Sequence, residues 1–143
     1  VDEQLKSDFV RRARGRGGDE AMVICTLEEF FTGNDDPASI IPNLGPELDV
    51  ATVRTGLERL RQHPSVHEVF LQLDHLEWDE YPEGEWPYSN EVGVVTTLSL
   101  AEVDDLTREL QTDCANGPYP TWDGAEGAPA LPPGYHFVSV SWG

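Results

Sequence analysis

An α+β fold of the ferredoxin-like kind is the class this sequence predicts: β-α-β-β-α-β, a four-stranded antiparallel sheet with two helices on one face. Three observations predict it. From Met22 onward, with the short helix after the first strand set aside, four segments read as strands and two as amphipathic helices, in that order. Both helices open on a capping residue. The first and third strands are apolar on both faces, as the central strands of that layout should be, while the second and fourth alternate.

The elements follow in order. Residues 2–14 form a short helix in this reading, with Asp2 as N-cap and Leu5 and Phe9 on one face, broken by the basic run Arg14-Gly-Arg-Gly-Gly. Met22-Val-Ile-Cys25 is a short apolar strand, and Thr26-Leu-Glu-Glu29 is a capping box that starts one or two helical turns ending at Gly33. Asn34 to Leu48 is rich in Pro, Gly, Asn and Asp and reads as a loop. Asp49 caps a helix to about Gln62, because Val50, Val53, Leu57 and Leu60 recur on one face.

Val66 to Trp78 is the longest strand, with Val69, Leu71 and Leu73 on one side and Phe70, Gln72, Asp74, Leu76 and Trp78 on the other. After an acidic, aromatic connection from Asp79 to Asn90 comes a third strand, Val92 to Leu98. Ser99 and Glu102 form a second capping box for a helix with Val103, Leu106 and Leu110 inward. Residues 114–134 carry Pro and Gly throughout and are expected as a long surface loop; Tyr135 to Trp142 alternates as the last strand. The domain reading is an extension over residues 1–21 and one acidic α+β domain over 22–143.

At 143 residues the chain has the length of one domain. Its 27 acidic side chains against 9 Lys and Arg give a formal charge of −18. Residues 1–21 are balanced, so the body carries the whole imbalance, with only Arg54, Arg59, Arg61 and Arg108 as cations. Such a particle is repelled by nucleic acid and by anionic membranes, and it steers basic partners toward itself in a salt-dependent way. A solubilising role accounts for the same charge. Cys25 and Cys114 are too few for a disulfide framework and lack zinc spacing. With neither an apolar span nor an apolar leader stretch in residues 1–21, the expected location is cytoplasmic. Eight arginines to one lysine suggest a GC-rich bacterial genome.

Three groups of residues are candidates for function. In residues 74–91, Trp78, Tyr81, Trp86 and Tyr88 are interleaved with acids that include Glu80, Glu83 and Glu85, the pattern of aromatic anchors inside a charged rim. A solvated hairpin whose aromatics fold back on the domain explains it equally. The helix-free sheet face would present Phe70, Gln72, Asp74 and Ser139 to a ligand, a second copy or a covering loop. Asp74, His75, Glu77, Asp79 and Glu80 offer oxygen and nitrogen to a metal, but strand neighbours point to opposite faces and no calcium-loop motif is present, so neither metal nor cofactor is expected. No nucleophile elbow, phosphate loop or His-Glu-x-x-His occurs; His75 or Asp74 would be the general base of any enzyme here.

The segments Glu29-Phe-Phe-Thr-Gly-Asn-Asp-Asp-Pro-Ala-Ser-Ile40, Glu85-Trp-Pro-Tyr-Ser89 and Val138-Ser-Val-Ser-Trp142 together resemble a group of small acidic bacterial proteins of actinobacterial type, with no known activity, over about residues 22–143. The resemblance implies a single bacterial domain and singles out Gly33 to Asp36 and Trp86 to Ser89.

The leading expectation is a non-enzymatic acidic binding protein for a basic protein, of the immunity or inhibitor kind. The alternative is a small-molecule enzyme or ligand-binding protein using the open sheet face, in a homodimer whose sheets face each other. Mimicry of DNA by ordered carboxylates is a third reading of the same charge.

Overall fold

A computed structural model describes residues 1–40, 48–89 and 91–142. Residues 41–47 of the expected Asn34–Leu48 loop, Asn90 of the acidic connection and the terminal Gly143 lie outside the described residues.

Local chemistry fixes the helices where the capping residues place them. Helix α1 (Glu3–Gly15) opens on Asp2, whose side chain accepts from the Leu5 N–H. Strand β1 (Met22–Thr26) runs straight into α2 (Leu27–Phe31), and both halves of the Thr26/Glu29 capping box form. Asp49 caps α3 (Val50–Arg61) through the Thr52 N–H, and Ser99 with Glu102 closes the second capping box on α4 (Leu100–Thr107).

The sheet departs from the ferredoxin-like expectation. Besides β1 it contains β2 (Val66–Leu73), β3 (Glu91–Thr96), β4 (Cys114–Tyr119), β5 (Ala125–Glu126) and β6 (His136–Ser141), in the order β4-β6-β3-β2-β1-β5. The β1–β5 pair is parallel and the others are antiparallel, so the sheet is mixed, and it curls into half a barrel. In the ferredoxin-like layout the third strand lies between the first two, which run parallel. Here β1 pairs directly and antiparallel with β2, with Thr26 opposite Phe70 and Val23 opposite Leu73. Residues 23–26 of β1 therefore lie beside the second half of β2 and run the opposite way, so the helical connection leaves and re-enters the sheet at one end. Setting α2 aside as a decoration of the loop hid this, because one helix crosses a sheet whereas two helical segments can turn back.

The burial test for central strands also misled. In β1 only Val23 and Cys25 are buried, and its outer neighbour β5 is two residues long. The central strands are β2 and β3, buried on both faces over most of their lengths. Strands β4 and β5 fall inside the segment expected as a loop. The sequence Cys-Ala-Asn-Gly-Pro-Tyr has little strand propensity, but an edge position beside β6 tolerates Pro118 and a bulge between Asn116 and Tyr119.

The helices pack on one face. Phe9, Leu27, Phe30, Val53, Leu57 and Val103 share the main core with Val69, Leu71, Leu73, Val92, Val94, Val138 and Val140. Within β2 and β6 the faces assigned by alternation are those observed, since Phe70 and Phe137 join Val95 in a second, smaller cluster on the opposite side. The second strand, however, stops at Leu73 rather than Trp78, and Leu76, expected on the Phe70 face, packs in the main core. Trp122, Leu131 and Tyr135 cover that cluster from the chain between β4 and β6. The helix-free face is therefore partly roofed, and what remains open is a cleft.

Candidate functional site

Alternation along β2 turns Gln72 away from the helices, on the same side as Phe70. Its side chain is 4% exposed, so both ends of the amide need partners. Oε1 accepts from the Trp122 indole Nε1 at 2.7 Å, and Nε2 donates to Glu91 Oε2 at 3.0 Å. Glu91 lies directly across the ladder from Gln72, and on its other side it faces Ser141 of β6. Its second oxygen accepts from Ser139 Oγ at 2.8 Å. One chain of hydrogen bonds thus links Trp122, Gln72, Glu91 and Ser139 across three strands and the covering loop.

This chain forms the floor of a cleft of about 720 Å³, whose walls include Met22, Asp74, Asn116, Tyr119, Thr121, Asp123 and Ser141. The volume is that of a small-molecule site. Trp122 is held as a rigid wall, edge-to-face with Phe70 at 5.0 Å and with Phe137 at 5.7 Å between ring centroids. The cleft joins aromatic surface, carboxylates and hydroxyls on a preformed frame, an arrangement suited to binding by stacking and directed hydrogen bonds.

Of the residues expected on the ligand face, Gln72, Asp74 and Ser139 line the cleft. Phe70 does not; it lies beneath Trp122 as packing. His75 follows Asp74 on the exposed stretch after β2, outside the cleft lining, so of the two general-base candidates only Asp74 borders the cleft. Among the described residues no three His, Cys, Asp or Glu side chains converge to hold a metal ion. Sequence reasoning missed Trp122, Asp123, Thr121 and Tyr119, because they sit in the stretch read as a surface loop. The available signal was the lone Trp122 among prolines and glycines, since a large aromatic there needs something to pack on.

The acidic, aromatic segment is divided. Trp86, expected as an anchor for a partner, is 3% exposed and packs on Phe9 with ring centroids 5.2 Å apart; α1 covers it, so it offers no surface. Tyr88 is half-buried, and burial pushes its phenol up from the ordinary value. Trp78 stays 46% exposed and lies 5.1 Å from Tyr81, with Asp79, Glu80, Glu83 and Glu85 exposed around them. Cations of α1 hold this loop by its backbone. Arg14 donates to the Trp78 and Asp79 carbonyls, and the buried Lys6 donates to those of Tyr81 and Pro82.

The two segments that the sequence resemblance singled out meet one another. Asp36 Oδ2 accepts from the Trp86 N–H at 2.9 Å, and the Ser89 N–H donates to the Ser39 carbonyl at 2.7 Å. Asn34 Nδ2 donates to Ser39 Oγ, and Ser89 Oγ reaches the Gln72 carbonyl at 2.6 Å. They form a clasp that fixes the entry to β3, and with it Glu91.

Among the described residues no helix is long and apolar enough to cross a membrane. No solved structure matches the chain. The chain is 27% identical over 128 residues to the uncharacterized protein YfbO of Escherichia coli (strain K12), an alignment covering 87% of this chain and 85% of that protein. The model of the uncharacterized protein YfbO family matches residues 4–140, which takes in α1 as well as the sheet. The chain belongs to the YfbO family.

Proposed function

We propose that this is a ligand-binding protein whose cleft on the helix-free face takes a small polar organic molecule. The observation that carries the reading is the environment of Gln72. A buried side chain spends both ends of its amide fixing an aromatic wall and a carboxylate that border open space. A merely structural glutamine gains nothing from a cleft beside it, whereas a site needs its groups held in place before the ligand arrives. A library of polar metabolites, screened by the indole N–H proton resonance of Trp122, tests it. A binding compound should shift that resonance, and Gln72→Ala should weaken its affinity. A library that leaves the resonance unmoved removes the reading.

A second reading is favoured by Trp78. It is a large, half-exposed aromatic ringed by acids on a backbone pinned by Arg14 and Lys6, so the loop is ordered before any partner meets it. Such a patch suits a basic protein, and an immunity or inhibitor role is its narrower form. Trp78→Ala should then lower affinity for that partner by about 2 kcal/mol without changing the melting temperature. Unchanged affinity removes Trp78 from the interface.

A further inference from the structure

We infer that the ligand of the cleft is an organic cation carrying a primary amine or guanidinium group. The inference rests on the reading of the cleft as a ligand site and names its chemistry. The lining holds three carboxylates, Asp74, Glu91 and Asp123, and no Lys, Arg or His among the described residues. The chain's scarce cations are engaged elsewhere. Arg14 is on the Trp78 loop, Arg16 bridges the Ile24 carbonyl and Glu29, Arg61 pairs with Glu28, and Arg54 pairs with Glu58.

Glu91 is the decisive group. Its two oxygens accept from Gln72 and Ser139, both neutral donors, which aim the carboxylate without cancelling its charge. A carboxylate held this way, beside open volume, is a preformed half of an ion pair, and a charged donor makes a stronger bond to it than a neutral one. The walls agree, because Trp122 and Tyr119 line the same space and aromatic faces attract ammonium and guanidinium groups. An anionic ligand would meet three like charges.

Cadaverine and the neutral diol of the same five-carbon chain form a matched pair of probes for the full-length chain. Both are titrated while the Trp122 indole N–H and Gln72 side-chain amide resonances are followed. The diamine should shift both signals and bind at least about tenfold more tightly than the diol, since a charge-assisted bond replaces a neutral one. Glu91→Gln, which keeps an acceptor for Ser139 but loses the charge, should weaken the diamine about fivefold or more, as should Asp123→Asn in lesser degree. Asp105→Asn, exposed on α4 and away from the cleft lining, should leave the titration unchanged.

If the diol matches the diamine, or if Asp105→Asn weakens binding as much as Glu91→Gln, the cation inference is overturned while the cleft remains a ligand site. If neither probe moves either signal the inference fails, and the cleft reading falls with it only when the wider library is silent too.

Discussion

Phe70 lies directly across the β2–β3 ladder from Gly93, and its ring occupies the space that a Cβ at Gly93 would need. The pair explains a glycine in the middle of a central strand, where it otherwise weakens the sheet. It also sets the height of the cleft floor, because Trp122 rests on Phe70 and is tied to Gln72 two residues along β2.

Gly93→Ala should therefore destabilise the protein by about 1–3 kcal/mol, the range for forcing extra volume into a packed site. Urea unfolding measures it. Combining it with Phe70→Leu should cost less than the sum of the two single changes, since the smaller side chain vacates the contested space. Strict additivity would show that the ring moves aside freely.

Trp86 gives a second expectation, about stability rather than binding. Trp86→Ala should cost about 3–5 kcal/mol, because it empties a core site shared with Phe9. Among the described residues the buried Trp86 Nε1 has no hydrogen-bond partner, so Trp86→Phe, which removes that unpaired donor with part of the ring, should cost clearly less. Equal losses in thermal unfolding for the two variants would contradict this account.

The third expectation concerns acid. Burial pushes the Glu29 carboxyl up, but the Arg16 guanidinium and the Thr26 N–H more than offset this and hold it below the ordinary glutamate value. A carboxyl depressed in the folded state contributes stability that is present above its unfolded value, about 4.3, and is lost as pH falls through the folded one. The unfolded chain binds more protons in that window, so stability rises with pH across it. Glu29→Gln should flatten this part of the stability–pH profile. Glu3, Glu28, Asp49 and Glu102, also held low by hydrogen bonds, keep the remaining slope. A variant whose profile is parallel to the parent's would exclude the Arg16–Glu29 pair as a contributor.

Local structure was legible in the sequence to the extent that local forces decide it. Asp2, Thr26, Asp49 and Ser99 cap the helices they precede, and the two-residue period put Val69 and Phe70 on the faces they occupy. Strand order was not legible, because pairing is settled between residues far apart in sequence. Thr26 meets Phe70 through a connection whose net direction depends on how α2 and α3 turn, and a hydrophobic pattern carries no sign of that. The candidate site was half legible. Gln72, Asp74 and Ser139 follow from alternation once a free face is assumed, whereas Trp122 enters only because β4 and β5 form at the sheet edges and bring the intervening loop over that face. Trp86 shows the converse limit: an aromatic among acids reads as an interface until α1 is found lying on it.

The two outer strands carry a consequence for self-association. A long, regular outer strand is a template on which another chain can continue the ladder, the first step toward fibres. Here one margin ends in β4, which holds Pro118 and a register break, and the other in β5, only two residues long. Neither gives an incoming strand an uninterrupted row of donors and acceptors. Added to the mutual repulsion of strongly anionic particles, this should keep the folded chain dispersed at concentrations where a smooth-edged sheet of the same size would stack.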